Sequence, residues 1–152
     1  MNRLFQYITT LDITILDFIQ KYIKNDLLDR VIPFITWLGN GGFIWIVLGI
    51  VFVFIRRYRK AGIICLITLI TGLILGELIL KNIVERARPF IGNPYIELLI
   101  KSPSSYSFPS GHTASSFGAA AALSKYINSK GIFWVLAFLI AFSRLYLYVH
   151  YP

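Results

Sequence analysis

The residues of this chain best suited to chemistry lie in its second half, in three separated blocks. Lys81 is followed seven positions later by Arg88-Pro89, then come Pro109-Ser110-Gly111-His112, and then Ser143-Arg144 with His150. Lys81, Arg88 and Arg144 are cations, and an arginine adds a planar fork of donors that fits the oxygens of an anion such as phosphate. Ser110 is a good N-cap. The first amides of the helix it would open point outward with partial positive charge, which also suits an anion. Gly111 lets an oxygen come close to the backbone. His112 and His150 add imidazoles, which serve as acid, base or nucleophile near neutral pH. Each residue alone has a plainer explanation. A Lys or Arg beside an apolar run is usually a snorkelling anchor, and a single histidine at a helix end is usually structural. What matters is whether the blocks meet.

The elements that carry them are set by composition. The chain has 152 residues, 57% of them hydrophobic and 14% charged, against about 45–50% and about 25% in ordinary soluble domains. A disordered chain, a collagen-like chain and a typical water-soluble enzyme are all poor fits, and lipid is the expected solvent for much of the surface. Lys and Arg number 15 against 7 Asp and Glu, a formal net charge of +8. In a lipid-embedded chain this excess points to cytoplasmic loops or an anionic substrate before it points to nucleic acid, so no nucleic-acid partner is expected. Cys65 is the one cysteine, which excludes an intrachain disulfide and a cysteine zinc site.

A bilayer-spanning helix needs about 20 apolar residues. Residues 61–81 form the clearest span, with Glu77 inside it. Residues 110–127 form a second, rich in small side chains that let helices approach closely in lipid. A third covers 131–150, interrupted by Arg144. Residues 27–55 read as a short helix over 27–38, broken by Pro33 and Gly39-Asn40-Gly41-Gly42, followed by a short span to Ile55. Residues 82–109, rich in Pro, Ser, Gly and Asn, read as a long loop. In residues 1–24, Leu4, Ile8, Leu11, Ile15, Ile19 and Tyr22 recur at helical spacing. Asp12 and Asp17 would be costly in hydrocarbon, so this helix is expected to lie in the interface. The fold class is all-α: one domain, a polytopic membrane helix bundle with an N-terminal amphipathic helix.

Arg56-Arg57-Tyr58-Arg59-Lys60 holds four positive charges and marks the cytoplasmic side. The span 61–81 then runs outward to Lys81, and the loop 82–109 lies outside. The span 110–127 begins there with Ser110-Gly111-His112, and the span 131–150 returns there with His150. Span counting alone therefore brings all three blocks to one membrane face, as an anion site with acid–base or nucleophilic capacity. Arg144 and His150 are about 9 Å apart along a helix and on different faces, a gap the long arginine would have to close.

These blocks resemble the signature of the type 2 phosphatidic acid phosphatase superfamily, the lipid phosphate phosphatase and haloperoxidase group: K-x6-R-P, then P-S-G-H, then S-R-x5-H-x3-D. Each block is weak alone, but the three in order are specific. The resemblance covers about Glu77 to Pro152. It implies a metal-independent hydrolase in the plasma membrane, multi-pass, with its site on the extracytoplasmic side, acting without a cofactor on a lipid phosphate or diphosphate. An undecaprenyl diphosphate or a phosphatidylglycerol phosphate would suit it. His150 would be the nucleophile and form a phosphohistidine. His112 would be the general acid and then the base. Lys81, Arg88, Ser110, Gly111 and Arg144 would hold the phosphate. The pattern's final Asp would fall four residues after His150, beyond Pro152, and the expected last helix is missing too. The chain therefore reads as C-terminally truncated, a fragment rather than an inactive relic.

Two other readings stay open. One is a non-catalytic membrane protein that binds anionic lipid headgroups with the same cations, or an inactive truncated relative. The other is a transporter or channel fragment, which predicts ionisable groups at mid-bilayer depth. The sequence leaves the lipid's identity and the oligomeric state open. Glu77 reads as a pairing or packing residue, Ser104, Ser105 and Ser107 as loop polarity, and Phe90, Tyr95, Tyr106, Phe108, Tyr146, Tyr148 and Tyr151 as an interfacial aromatic belt.

Overall fold

Asn25 and Ser110 open helices as their side chains suggest. Asn25 Oδ1 accepts from the Leu28 amide, and Ser110 Oγ from the Thr113 amide, each satisfying a donor that the first turn leaves without a partner. The computed structural model describes residues 2–93, 95–128 and 130–152, and all regular structure among them is helical. Helix α1 (Asn2–Phe18) runs into a π turn, Ile19–Ile23. Helix α2 (Asp26–Leu38) passes through Pro33 without ending there, and a 3-10 turn, Asn40–Gly42, leads to α3 (Phe43–Phe54). Gly41 and Gly42 both have positive φ, 58° and 74°, where a Cβ would be strained. Helix α4 (Arg59–Gly72) continues through a π-helical stretch, Leu73–Leu80, into α5 (Lys81–Val84). Helices α6 (Gly111–Ser124) and α7 (Lys130–Tyr146) complete the bundle.

Helix α4 packs against α3 and α6, α6 against α7, and α2 against α7. Small residues set these spacings. A Cβ added at Gly62 of α4 would fall 2.5 Å from the Gly49 carbonyl oxygen and 2.6 Å from the Val53 nitrogen of α3. Trp45, Cys65, Ala119, Ala120, Leu123 and Ile140 form the buried centre. Trp45 Nε1 donates to Ser116 Oγ at 2.8 Å, so the one polar atom of that buried indole is satisfied.

Much of the outer surface is apolar. Ile63, Ile67, Ile70, Leu73 and Leu78 are all exposed along the continuous run from α4 to α5. Among the described residues one helical stretch, Arg59–Gly92, is long and apolar enough to cross a membrane; α2 and the stretch Asn40–Phe54 qualify together, bent by 47°. Helix α1 shows the same inversion. Ile8, Leu11, Ile15 and Tyr22 face outward, while Asp12, Leu16 and Ile19 are buried against the bundle. Most of the apolar stripe, Ile19 excepted, therefore faces away from the protein, as lipid permits and water does not. Leu4, the first residue of that stripe, lies outside the described side chains, and Ser129, in the polar turn before α7, outside the described residues.

The helix carrying Lys81 ends at Val84, where Glu85 takes a left-handed φ of 47°, so Arg88 comes from the loop that follows. One helix end differs from the sequence reading. Helix α7 stops at Tyr146. Tyr148 has φ 57°, and the amides of Val149 and His150 both turn back to the Arg144 carbonyl, at 3.1 and 3.3 Å. This reversal, rather than a long arginine side chain, brings His150 beside Arg144.

Candidate active site

The start of α6 is shaped by its neighbours. Ser110 Oγ is occupied by the Thr113 amide at 3.3 Å and the Thr113 hydroxyl at 3.1 Å. A Cβ at Gly111 would press on the Glu77 carboxylate of the Leu73–Leu80 stretch, so the glycine leaves that side chain its room beside α6. His112 Nε2 pairs with Asn40 Oδ1 at 2.9 Å. A Cβ at Gly39 would lie 2.7 Å from His112 Cδ2. The glycine turn between α2 and α3 is thus the seat of this imidazole.

His150 is 3% exposed. Its Nδ1 lies 2.5 Å from the Ser107 carbonyl oxygen. A carbonyl can only accept, so Nδ1 carries the proton and Nε2 keeps its lone pair. Arg88 Nη1 donates to that lone pair at 3.0 Å and to the Val149 carbonyl at 2.8 Å. The rest of the guanidinium is held by Ser105: Nε donates to its carbonyl at 2.6 Å and Nη2 to its hydroxyl at 3.1 Å. Lys81 Nζ lies 2.7 Å from both oxygens of Glu77 and 3.4 Å from Ser105 Oγ. Arg144 Nη1 donates to Thr36 Oγ1 at 2.5 Å, while its buried Nε has no partner among the described residues. A donor left in that state costs about 1–3 kcal/mol.

Lys81, Arg88, Gly111, His112, Arg144 and His150 line one cavity of about 640 Å³, with Glu77 and Ser105. Its other wall is apolar, built by Ile46 and Ile50 of α3 and Leu66, Leu69, Ile70 and Leu73 of the α4 run. Ser110 is not in the lining; its hydroxyl is turned to Thr113. Burial, then the positive charges of Arg88 and Arg144, push His150 down to about 2, and the Ser107 carbonyl opposes them only partly. The imidazole is neutral at any physiological pH. A neutral imidazole, a second imidazole and three cations around one cavity are suited to receive a tetrahedral oxyanion and to attack it.

Several residues here were not visible as such in the sequence. Ser105 and Ser107 are not mere loop polarity. Ser105 orients two cations, and Ser107 acts through its carbonyl, which leaves no trace in residue type. Thr36 and Asn40 come from a turn that the sequence marks only by its glycines. Tyr146 and Tyr148 are not an interfacial belt: both are 1% exposed, with hydroxyls donated to Asp29 at 2.7 Å and Asp17 at 2.9 Å. Tyr95, by contrast, is 94% exposed.

This arrangement has relatives. Residues 60–152 match the family model described as the PAP2 superfamily. The chain is 33% identical over 137 residues to an undecaprenyl-diphosphatase of Sulfolobus acidocaldarius, covering 87% of this chain and 64% of that protein. It is 29% identical over 124 residues to the bacitracin transport permease protein BcrC of Bacillus licheniformis, covering 79% of this chain and 61% of that protein. The chain thus spans under two thirds of the length of these two curated relatives. Its fold is similar to the transmembrane PAP2-type phosphatidylglycerolphosphate phosphatase of Bacillus subtilis, with TM-score 0.72 and 29% identity over 95% of this chain and 75% of that one. It is also similar to LpxE of Aquifex aeolicus, with TM-score 0.73 and 31% identity over 93% and 84%. The family match covers more than half of the sequence, and the membrane-phosphatase architecture extends over nearly all of it: the chain belongs to the PAP2 superfamily.

Proposed function

We propose that this protein is a multi-pass membrane phosphatase that hydrolyses a lipid phosphate or diphosphate through a phosphohistidine on His150. The observation that carries this reading is the state of His150, with Nδ1 protonated and Nε2 unprotonated, buried in a cavity that it shares with His112, Lys81, Arg88 and Arg144. The apolar wall of the same cavity suits a lipid. The named activities of the undecaprenyl-diphosphatase and phosphatidylglycerolphosphate phosphatase relatives suggest an undecaprenyl diphosphate or a phosphatidylglycerol phosphate type of substrate.

In the first step His150 Nε2 attacks phosphorus while the bond from phosphorus to the leaving oxygen breaks. His112 gives that oxygen a proton. Lys81, Arg88 and Arg144 neutralise the remaining oxygens, and the unpartnered Arg144 Nε becomes satisfied. The Gly111 amide completes the cradle, while Ser110, whose hydroxyl is turned to Thr113, holds the start of α6 in place. In the second step His112 takes a proton from water, water oxygen bonds to phosphorus, and the phosphorus–nitrogen bond breaks to restore His150. The positive charge that a metal ion would bring is supplied by side chains, so no metal is required. The four charges of Arg56, Arg57, Arg59 and Lys60 assign their loop to the cytoplasm, and the site then faces the extracytoplasmic side.

The test is phosphate release from undecaprenyl diphosphate and from phosphatidylglycerol phosphate by purified protein in nanodiscs with EDTA present. Turnover that is lost in His150→Ala, with an acid-labile phosphoryl group trapped on the wild type, is the expected result. Wild-type turnover retained in His150→Ala removes the nucleophile assignment. Binding of the lipids without turnover favours a headgroup-binding protein.

A further inference from the structure

Helix α1 lies outside residues 60–152, and the reaction as described makes no use of it. Yet of its two acids, Asp17 reaches the segment that carries His150 directly and Asp12 reaches it through Arg86. Asp12, 8% exposed, pairs with Arg86 Nη2 at 2.5 Å. The Arg86 guanidinium stacks on the ring of Tyr151 at 3.8 Å, and the Arg86 carbonyl accepts from the Ser107 amide at 2.7 Å. Ser107 is the residue whose carbonyl receives His150 Nδ1–H. A continuous line of contacts therefore joins Asp12 to the imidazole. Asp17 supplies a second line: its carboxylate accepts the hydroxyl of Tyr148, two residues before His150 and at the left-handed turn of the reversal. Gln20, in the π turn that follows α1, donates to the Tyr146 carbonyl at 2.7 Å, at the end of α7.

We propose that α1 aims the nucleophile: Asp12, through Arg86 and the Ser107 backbone, and Asp17, through Tyr148, are positioning residues for His150. This rests on His150 being the nucleophile. The physical reason lies in the short reversal after Tyr146. No regular helix continues past Tyr146: the amides of residues 147–150 only fold back to the end of α7, and the imidazole carried by this reversal must present Nε2 to phosphorus in line. Anchors at Tyr148 and Tyr151 bracket it on both sides, and the Ser107 carbonyl selects its tautomer. Misplacement of a reacting group by ~1 Å can cost ~100-fold in rate. Two carboxylates on a lipid-facing helix also gain a purpose. They are turned to the protein because there they meet partners, and the apolar stripe of α1 is left for the lipid.

The experiment reads the tautomer directly. The chain has two histidines, so 15N-imidazole spectra of labelled protein in nanodiscs can be assigned with His112→Asn. Wild type is expected to show one Nδ1–H, neutral set for His150. Tyr148→Phe, which removes only a hydroxyl, and Asp12→Ala are each expected to broaden or split that set and to lower kcat by roughly 10- to 100-fold, while KM moves less than about threefold. Asp17→Ala should behave like Tyr148→Phe, and Asp17→Asn, whose amide oxygen can still accept the hydroxyl, should recover most of the loss. If Tyr148→Phe and Asp17→Ala melt with wild type yet keep the single tautomer and the wild-type kcat, α1 only packs and the inference is wrong. A wild type without the Nδ1–H signature overturns it as well. A wild type that shows the signature but no turnover leaves the aiming geometry standing and removes the phosphatase reading instead.

Discussion

Arg88 Nη1 donates at once to His150 Nε2, at 3.0 Å, and to the Val149 carbonyl, at 2.8 Å. One guanidinium nitrogen thereby covers the lone pair that would attack phosphorus and clamps the backbone just before it. A phosphate reaching the cavity competes for the same donor. In the proposed reaction Arg88 would turn to its oxygens and uncover His150 Nε2 beside it.

Arg88→Lys keeps the charge but loses the fork that reaches Ser105, Val149 and His150 together. Loss of one preorganised donor costs about 10²–10³ in rate. We expect kcat/KM to fall by that amount in phosphate-release assays, with the protein still folded.

Glu77 puts a carboxylate on Lys81, in the lining of a cavity that otherwise gathers cations. Its negative charge opposes a phosphate in the same space. Glu77→Gln should strengthen competitive inhibition by inorganic phosphate by about tenfold, a change of about 1.4 kcal/mol. An unchanged inhibition constant would mean that the Lys81–Glu77 pair stays together when phosphate binds.

The pH behaviour of His150 has a defined sign. Its folded value is lowered, to about 2, from an ordinary 6.5, so the unfolded chain takes up a proton first as pH falls. The stability due to the neutral buried ring is fully present above about 6.5 and is lost progressively down to about 2. Melting temperatures should decline through this range, and His150→Asn should decline less. In the pH profile of kcat/KM, no acid limb near 6.5 should belong to His150, since its imidazole is already neutral there.

Gly62→Leu tests the bundle rather than the site. The glycine's surroundings are backbone atoms of α3, at 2.5 and 2.6 Å from a built Cβ, and these cannot rotate away. Overpacking of this kind costs about 1–3 kcal/mol, which unfolding in mixed micelles should read as a lower midpoint.

Residue types and spacing were enough to anticipate helices through most of residues 61–81, 110–127 and 131–150, the N-cap at Ser110 and the gathering of Lys81, Arg88, His112, Arg144 and His150 around one cavity. Each follows from local chemistry or from counting crossings. Hydropathy could not say which face of α1 meets the protein, because in lipid both neighbours of a helix are apolar; the tertiary structure turns Asp12 inward and Ile8, Leu11 and Ile15 outward. Nor could residue types announce the Ser107 carbonyl, since every residue carries one, or the Asn40 and Thr36 partners, which become neighbours of His112 and Arg144 only when α2 and its glycine turn pack on α6 and α7. The reversal after Tyr146 was hidden for a related reason. An apolar run predicts helix until something outside it supplies better partners, and here those partners are Asp17, Gln20 and Arg88, all remote in the chain.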